Sequence, residues 1–524
     1  MEQEKEQYIT SSLYTFENMR NGNYLYVDKT EYLWRLIRQP RSMFFFSRPR
    51  RFGKSLTIST LKAIFQGKKE LFKDLYIENR PYDWKAYPVI HLDMGSDSAD
   101  TPERLEYNLL ERIKDIANDF GLTFECKYSS EAFEKLIKKL HDRDGEVVVL
   151  IDEYDKPILN NIENEKIEEF HKIMKGFYSV LKTCEPYERF VFITGVGKFL
   201  KVSIFSDLNN LSDISVSDDY ATLCGYTKQE IEDNFQKYLT KIVESKNIKY
   251  EILLEKIKDW YDGYKFSENC ENVYNPVSFT KFIENSGKLK NYWFETGSPS
   301  ILVKLIKNNQ INIEETIADT YKEDIFTAFM PSHISFIALM YQTGYLTIKE
   351  TNIIDDITLY KLGFPNYEVE QSFYQRLITN ASIEETVSAS LYLKLINALR
   401  NNDVDRMMET VNSFVASIPY NINIKSEKYY QTIFYAMFRL VGYSIHTEVC
   451  TNRGRIDAVI ENGNKVYIFE FKLNQTKEAA FDQIMEREYY KAYQHSGKKI
   501  TLIGANYKFT AKKKPFKWKK IELE

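Results

Sequence analysis

Cysteine is scarce in this chain. There are five in 524 residues (Cys126, Cys184, Cys224, Cys270 and Cys450), and no Cys-x-x-Cys pair. That spacing argues against a zinc site and against a disulfide scaffold, and it fits a reducing compartment. Long apolar runs are also missing: none reaches the roughly 18 residues a membrane span needs. The first residues, Met1 to Glu6, are charged and hold no apolar signal core. An excess of one charge is absent too, the net being −4. Any nucleic-acid surface must therefore be local. The expectation is a cytoplasmic protein of roughly two to four domains with no membrane partner. Tyr (38) and Phe (34) are abundant; they suit large cores first and base-stacking surfaces second.

The stretch on which the rest depends runs from Met43 to Thr57. Met43-Phe44-Phe45-Phe46 enters a basic turn, Ser47-Arg48-Pro49-Arg50-Arg51-Phe52. Gly53-Lys54-Ser55 follows, and an amphipathic segment continues from Leu56 to Phe65. A P-loop needs this order of strand, loop and helix. Backbone N–H groups and a helix N-terminus hold phosphate oxygens, Lys reaches the β/γ-phosphates, and Ser ligates Mg²⁺. Lys54 and Ser55 fill those roles. The usual first Gly of G-x-x-x-x-G-K-[ST] would stand where Arg48 stands. Taken alone, the loop competes with a chance Gly-Lys-Ser in a basic turn.

Three further apolar runs follow. Tyr87 to Asp93 is strand-like and leads to a helical stretch from Pro102 to Phe120. Gly145 to Asp155 is rich in β-branched residues and ends in acids. Periodicity alone leaves it open between a buried parallel strand and a buried helix segment. Asp152 stands where a P-loop protein places the acid that helps hold Mg²⁺, and Glu153 is placed to polarise an attacking water. A plain strand ending in a polar turn is the competing reading. The fourth run, Arg189 to Lys198, ends in Thr194, a candidate sensor of the γ-phosphate. Four strands alternating with helices predict an α/β, doubly wound parallel sheet. Its ligand end would gather Lys54, Asp152 and Thr194.

Arg48-Pro49-Arg50-Arg51-Phe52-Gly53-Lys54-Ser55, Leu150-Ile151-Asp152-Glu153-Tyr154-Asp155, Thr194-Gly195-Val196 and Asn209-Asn210-Leu211 resemble a known family. It is the prokaryotic AAA-ATPase-like proteins with a C-terminal PD-(D/E)XK nuclease domain. The resemblance implies ATP as cofactor. The expected contacts are Arg51, Phe52, Gly53, Lys54, Ser55 and Leu56 of the loop, together with Asp152 and Thr194. Ser55 and Asp152 would be the Mg²⁺ pair, Glu153 the catalytic base, and the Arg48 form of the loop a family trait. Residues 1–224 would be the ATPase domain, and 225–330 resemble the family's lid region.

Within 331–376 the pattern is helix, strand, turn, strand, helix. It suits a winged-helix module, which either contacts DNA or only packs. Residues 377–424 continue as a helical link. A homo-oligomer is left open, with Lys198, Lys201 and Asn210 as candidates for interface contacts.

The last segment, 425–524, carries the sharper chemistry. A helix from about Ser426 to Val441 is followed by a β-rich stretch, Tyr443 to Val449, a turn at Thr451-Asn452-Arg453-Gly454, the run Arg455 to Ile460, the turn Asn462-Gly463-Asn464, and Lys465 to Leu473. Glu470 and Lys472 alternate on a strand and share a face. The Asn-Gly turn folds Asp457 back beside Glu470. Converging carboxylates repel unless a cation lies between them. Oxygen ligands suit Mg²⁺ or Mn²⁺, and a Lys beside the metal steadies charge on a phosphodiester. Exposed alternation on a strand also produces such spacings without function. Asp457, Glu470 and Lys472 match the PD-(D/E)XK pattern. The resemblance adds Glu427, on the fold's first helix, and Gln483, on a helix read as running from Thr476 to Gln494. The tail from Lys508 to Lys520 is basic and interleaved with aromatics, a composition for nucleic-acid contact or for a solvated end.

The expected activity is an ATP-binding, ATP-hydrolysing protein with a metal-dependent nuclease domain acting on nucleic acid, DNA before RNA. The alternative is a nucleotide-switched, nucleic-acid-binding regulator whose nuclease fold does not cut.

Overall fold

The computed structural model describes residues 6–198, 205, 208–293, 313–326, 335–381, 389–417, 427–442, 444–451, 454–508 and 515–523. Its contacts divide the chain into two units. One is Met1–Trp293 with Tyr321–Glu368; the other is Phe294–Thr320 with Val369–Glu524.

The first unit is built on a parallel sheet. Its strands are β1 (Ser42–Ser47), β2 (Val89–Asp93), β3 (Val147–Asp152), β4 (Glu188–Gly195) and the two-residue β5 (Ser212–Asp213), in the order β2-β3-β4-β1-β5. Every pairing is parallel. All residues of β3 and β4 are buried, as a strand covered on both faces requires. That decides the Gly145–Asp155 run in favour of a strand. The short β5 falls beyond the four strands expected. Helices Lys54–Phe65, Pro102–Asp119, Ser129–Asp144 and Ile167–Thr183 flank the sheet. Pro102–Asp119 starts where Thr101 Oγ1 accepts the Arg104 N–H at 3.2 Å, with Pro in the first turn. Asp28 Oδ1 accepts from both the N–H (2.8 Å) and the hydroxyl (2.7 Å) of Thr30, opening helix Thr30–Ile37.

Helices Lys228–Lys246, Tyr250–Tyr261 and Pro276–Glu284 close around Phe235, Leu239, Ile257, Phe279 and Phe282. Thr227 and Glu230 make a reciprocal capping box at the first of them. Helix Phe336–Gln342 leads to the antiparallel pair β7 (Thr347–Ile354) and β8 (Ile357–Gly363). Strand β6 (Thr320–Lys322) joins β8 on its other side. Helix Tyr367–Ala381 follows, so the expected helix–strand–strand–helix order is present.

The second unit holds a mixed sheet of β9 (Ser444–Thr451), β10 (Gly454–Asn462), β11 (Lys465–Leu473), β12 (Lys499–Tyr507) and β13 (Phe516–Leu523), in the order β13-β12-β11-β10-β9. Only the β11–β12 pair is parallel. Two expectations are corrected here. The helix after β11 is Lys477–Glu486, and a 3₁₀ segment, Tyr489–Ser496, follows a break at Glu488 with φ +50. The basic tail is, from Phe516 on, the edge strand of this sheet. Phe516 is buried, and Asp405 takes both Trp518 (2.8 Å) and Lys520 (2.9 Å). Residues 509–514 of that tail lie outside the described residues.

Candidate functional site

The phosphate loop leaves β1 and enters helix Lys54–Phe65 at Gly53. Gly53 has φ +98, and a Cβ there would meet nothing within 4 Å. The left-handed backbone, not crowding, asks for glycine. The open space above Gly53 leaves room for phosphate oxygens. Lys54 is 6 % exposed and lays its ammonium on Pro49 O at 3.1 Å, across the loop. Burial lowers its pKa, and Asp152, Glu153 and Asp155 act to raise it again. Ser55 and Asp152 line the same cavity. Burial raises the Asp152 pKa, and the Ser55 hydroxyl and Lys54 oppose the rise.

Strand β4 lies between β1 and β3, with Phe46 opposite Thr194 and Ile151 opposite Ile193. Thr194 therefore stands between the loop strand and Asp152. It is fully buried, and among the described residues its hydroxyl finds no hydrogen-bond partner. The structure thus brings Gly53, Lys54, Ser55, Asp152 and Thr194 to one end of the sheet. Glu153 joins them with φ +52, an uncommon backbone for a residue with a side chain. A Cβ on Gly95 would lie 2.9 Å from Glu153 Oε2 and 2.9 Å from Asp93 Oδ1, so both carboxylates close on that glycine. A cavity of about 290 Å³ opens beside Ser55 and Asp152, lined also by Ser59, Lys62, His91 and Asp93.

The other loop side chains point elsewhere. Arg48 is 2 % exposed; its guanidinium donates to Ser47 O (2.8 Å), Ser215 O (2.7 Å), Tyr220 O (3.2 Å) and Ala221 O (3.1 Å). It also lies 4.3 Å from the Phe46 ring and 4.1 Å from that of Phe266. Burial pulls its pKa down to about 10. Arg51 donates to Tyr292 O. Phe52 packs edge-on against Tyr264 at 4.7 Å and Phe266 at 5.3 Å. Arg51 and Phe52 can serve a phosphate through their main chain only. Leu56 is half-buried in the first helical turn.

Asp155 went unread in the sequence. Its buried carboxylate accepts from Val196 N and Gly197 N, each at 3.0 Å, and burial pushes its pKa up to about 6. Tyr154 N donates to Thr194 O at 3.1 Å, and the Tyr154 hydroxyl to Gly197 O at 2.9 Å. Together they stitch the turn after β3 to the end of β4. The last acid of Asp-Glu-Tyr-Asp was the only available signal. Lys198 pairs with Asp213 at 3.1 Å, within the chain; Lys201 lies outside the described residues.

In the second unit the hairpin of β10 and β11 pairs Asn462 with Lys465 and Ala458 with Phe469. That register sets Asp457 opposite Glu470. Asp457 Oδ2 accepts the Phe471 N–H at 2.7 Å, and Lys472 Nζ lies 2.9 Å from Glu470 Oε1. Glu470 is 1 % exposed. Asp457, Glu470 and Lys472 are brought together as expected. Gln483 donates instead to the Tyr489 hydroxyl at 3.4 Å. Glu427 opens helix Glu427–Leu440, and its side chain lies outside the described residues. No set of three His, Cys, Asp or Glu among the described residues could hold a metal ion. Two carboxylates whose remaining ligands are water still form an oxygen donor set of the kind Mg²⁺ or Mn²⁺ takes.

Comparison with known proteins follows the same division. Residues 11–205 match the family model of the predicted AAA-ATPases, and residues 425–515 match that of the PD-(D/E)XK nuclease superfamily. An uncharacterised protein from the vnfD 5′ region of Azotobacter chroococcum mcd 1 is 35 % identical over 507 residues, spanning 94 % of this chain and 95 % of its own. Among solved structures, the ORC2 protein of Aeropyrum pernix with ADPNP and ADP aligns at 13 % identity and TM-score 0.30, over 72 % of this chain and 96 % of its own. The ORC1 protein of the same organism, in complex with DNA, aligns at 10 % identity and TM-score 0.26, over 65 % and 89 %. Among the described residues no helix is long and apolar enough to cross a membrane.

Proposed function

The chain belongs to the predicted AAA-ATPases that carry a C-terminal PD-(D/E)XK nuclease domain, and from that premise we propose that it hydrolyses ATP in its first unit and cuts DNA in its second. In the first unit, Lys54 exchanges Pro49 O for the β/γ-phosphates, and the backbone N–H groups of residues 51–56 hold the phosphate oxygens. Ser55 and Asp152 would hold Mg²⁺, which neutralises phosphate charge when bound. Glu153 orients the attacking water, and the Thr194 hydroxyl donates to the γ-phosphate.

In the second unit, Asp457 and Glu470 would hold Mg²⁺ or Mn²⁺, which lowers the pKa of a bound water. Lys472 leaves Glu470 to steady charge on the phosphodiester, and Phe471 N–H holds the Asp457 carboxylate in place. The observation that carries this reading is the convergence of Asp457, Glu470 and Lys472 on one face of a buried hairpin. The test is nicking of plasmid DNA with Mg²⁺ or Mn²⁺, with and without ATP. Wild type is expected to cut, and Lys472→Ala to cut about 10²–10³-fold more slowly, the usual loss for one electrostatic donor. Equal cutting by both removes Lys472 from the mechanism.

One observation favours a second reading. The Lys472 ammonium pairs with Glu470 Oε1 at 2.9 Å, an ion pair that compensates part of the Glu470 charge without a cation, as in a module that binds nucleic acid without cutting. Calorimetry with Mn²⁺ separates the two. Equal heats from wild type and Glu470→Ala would support the binding-only module.

A further inference from the structure

The residues that make this phosphate loop unusual are its attachments to the rest of the first unit. Arg48 is fixed by carbonyls of residues 215–221 and by Phe266; Phe52 is fixed by Tyr264 and Phe266. Gly344 packs so closely on Pro49 that a Cβ would come within 2.5 Å of its ring. Arg51, with φ +69, donates to Tyr292 O.

The last of these contacts reaches a particular place. The chain leaves the first unit after Trp293 and again after Glu368. These two exits are bonded to each other: Trp293 N donates to Glu368 Oε1 at 2.7 Å. Glu368 is fully buried; burial pushes its carboxyl pKa up to about 7, and the Trp293 N–H and, more weakly, the Arg51 charge act to lower it. The second exit is also held by the residues just before it. Asn366 Nδ2 donates to Asp262 O at 2.8 Å, Lys349 Nζ to Pro365 O at 3.0 Å, and the Tyr367 ring meets Trp260 at 4.9 Å. At Gly263, φ +100, a Cβ would lie 2.1 Å from Pro365 O. The aromatic turn Trp260-Tyr261-Asp262-Gly263 is thus the seat of the second exit. Glu368 is the second residue of helix Tyr367–Ala381, whose remainder belongs to the second unit.

We propose that Arg51, Tyr292-Trp293 and Glu368 form a nucleotide-responsive latch, through which filling of the phosphate loop is passed to the two segments that continue as the nuclease unit. This rests on the reading of the loop as an ATP site. Phosphates drawn onto the N–H groups of residues 51–56 reset the backbone at Arg51. Its side chain carries that change one residue from the first exit and, through the Trp293–Glu368 bond, to the second. Arg51 and Glu368 are positioning residues here, since neither side chain reaches the phosphate space.

Hydrogen exchange on the full chain, with and without saturating Mg·ATP, tests the latch, with nucleotide binding measured in parallel by calorimetry. Wild type is expected to bind ATP and to change protection at the amides of Tyr292-Trp293 and of residues 367–371 by tenfold or more. Glu368→Ala is expected to bind ATP within threefold of wild type and to lose the change at Trp293. Glu368→Gln keeps an acceptor oxygen and is expected to restore it. Should Glu368→Ala fold poorly, wild type alone still decides. ATP binding without a change in exchange at either exit overturns the latch and leaves the ATP site standing. Absence of ATP binding by wild type overturns both.

Discussion

Arg48 shows how much one residue's meaning depends on its partners. In sequence it replaces the first glycine of a phosphate loop and adds charge beside the phosphates. In the folded chain its guanidinium is spent on four carbonyls and two aromatic faces. Three of those carbonyls lie about 170 positions away, so no local pattern could announce them. Its departure from the usual motif is a matter of packing. A second buried charge has the opposite character. Glu188 opens β4, is 3 % exposed, and has an oxygen (Oε1) without a partner among the described residues. Burial, helped by Glu185, pushes its pKa up to about 8 from 4.5. The folded state therefore holds this proton more tightly than the unfolded chain does. The stability it brings is full below pH ~4.5 and is lost as pH rises through about 8. At 1.36 kcal/mol per unit, roughly 3–5 kcal/mol is at stake. Glu188→Gln, which stays neutral, should melt like wild type near pH 5 and well above it at pH 8.5. Parallel melting curves for the two proteins from pH 5 to 8.5 would show that Glu188 is not held protonated.

Elements were legible where one local signal dominated. The continuous β-branched run of β3 and the alternation of Glu470 with Lys472 carry their own geometry, and the Asn462-Gly463 turn fixes the register that places Asp457. Gly463 supplies the φ of +57 that this turn uses. The Asp152, Glu153 and Thr194 cluster was legible because parallel strands present their ends together. Strand β13 was not. Its lysines read as a solvated or nucleic-acid-binding tail, but lysine is also what an edge strand carries to deter pairing with other chains. Lys517, Lys519 and Lys520 sit on such an edge, and Lys519 reaches 4.5 Å from the Phe481 ring. The helix behind the nuclease hairpin was legible in position but not in length, because Glu488 breaks it with a left-handed backbone. Its seating depends on Gly504, which pairs with Glu470. A Cβ at 504 would lie 2.5 Å from Phe481 N and 2.7 Å from its Cα. These are backbone atoms, so helix Lys477–Glu486 as a whole must move. Gly504→Ala should cost about 1–3 kcal/mol, as overpacking does. Urea unfolding of the full chain would register it, and an unchanged midpoint would mean the helix is free to shift.

The two units are not two consecutive pieces of chain. The first resumes at Tyr321 after leaving at Trp293, and the second starts with Phe294–Thr320 and continues from Val369. Family resemblance alone suggests cutting at 425 to isolate a nuclease domain, since the matched segment is 425–515. The bonds of the second unit argue against that cut. Asn412 clasps Phe516 from both sides, Nδ2 donating to its O at 2.9 Å and Oδ1 accepting its N–H at 2.7 Å. Asn402 Oδ1 accepts the Tyr467 hydroxyl at 2.8 Å, and Asn462 Nδ2 reaches Leu399 O at 3.0 Å. Helices Ala389–Arg400 and Val404–Ser417 bury Leu395, Leu399, Met407, Met408 and Val411. Each buried side chain is worth roughly 1.5–3 kcal/mol, and a domain's whole margin is about 5–15 kcal/mol. A fragment of 425–524 loses this layer and leaves Phe516 and the hairpin end exposed. It should be aggregated or molten, with weak near-ultraviolet circular dichroism and rapid proteolysis. The full chain with Lys54→Ala should keep the nuclease unit folded, because Lys54 lies in the other unit. If fragment 425–524 instead gave a cooperative melt and the same Mn²⁺ titration as the full chain, helices Ala389–Arg400 and Val404–Ser417 would be a dispensable cover. Asp457, Glu470 and Lys472 would then need nothing beyond their own sheet to stay in place.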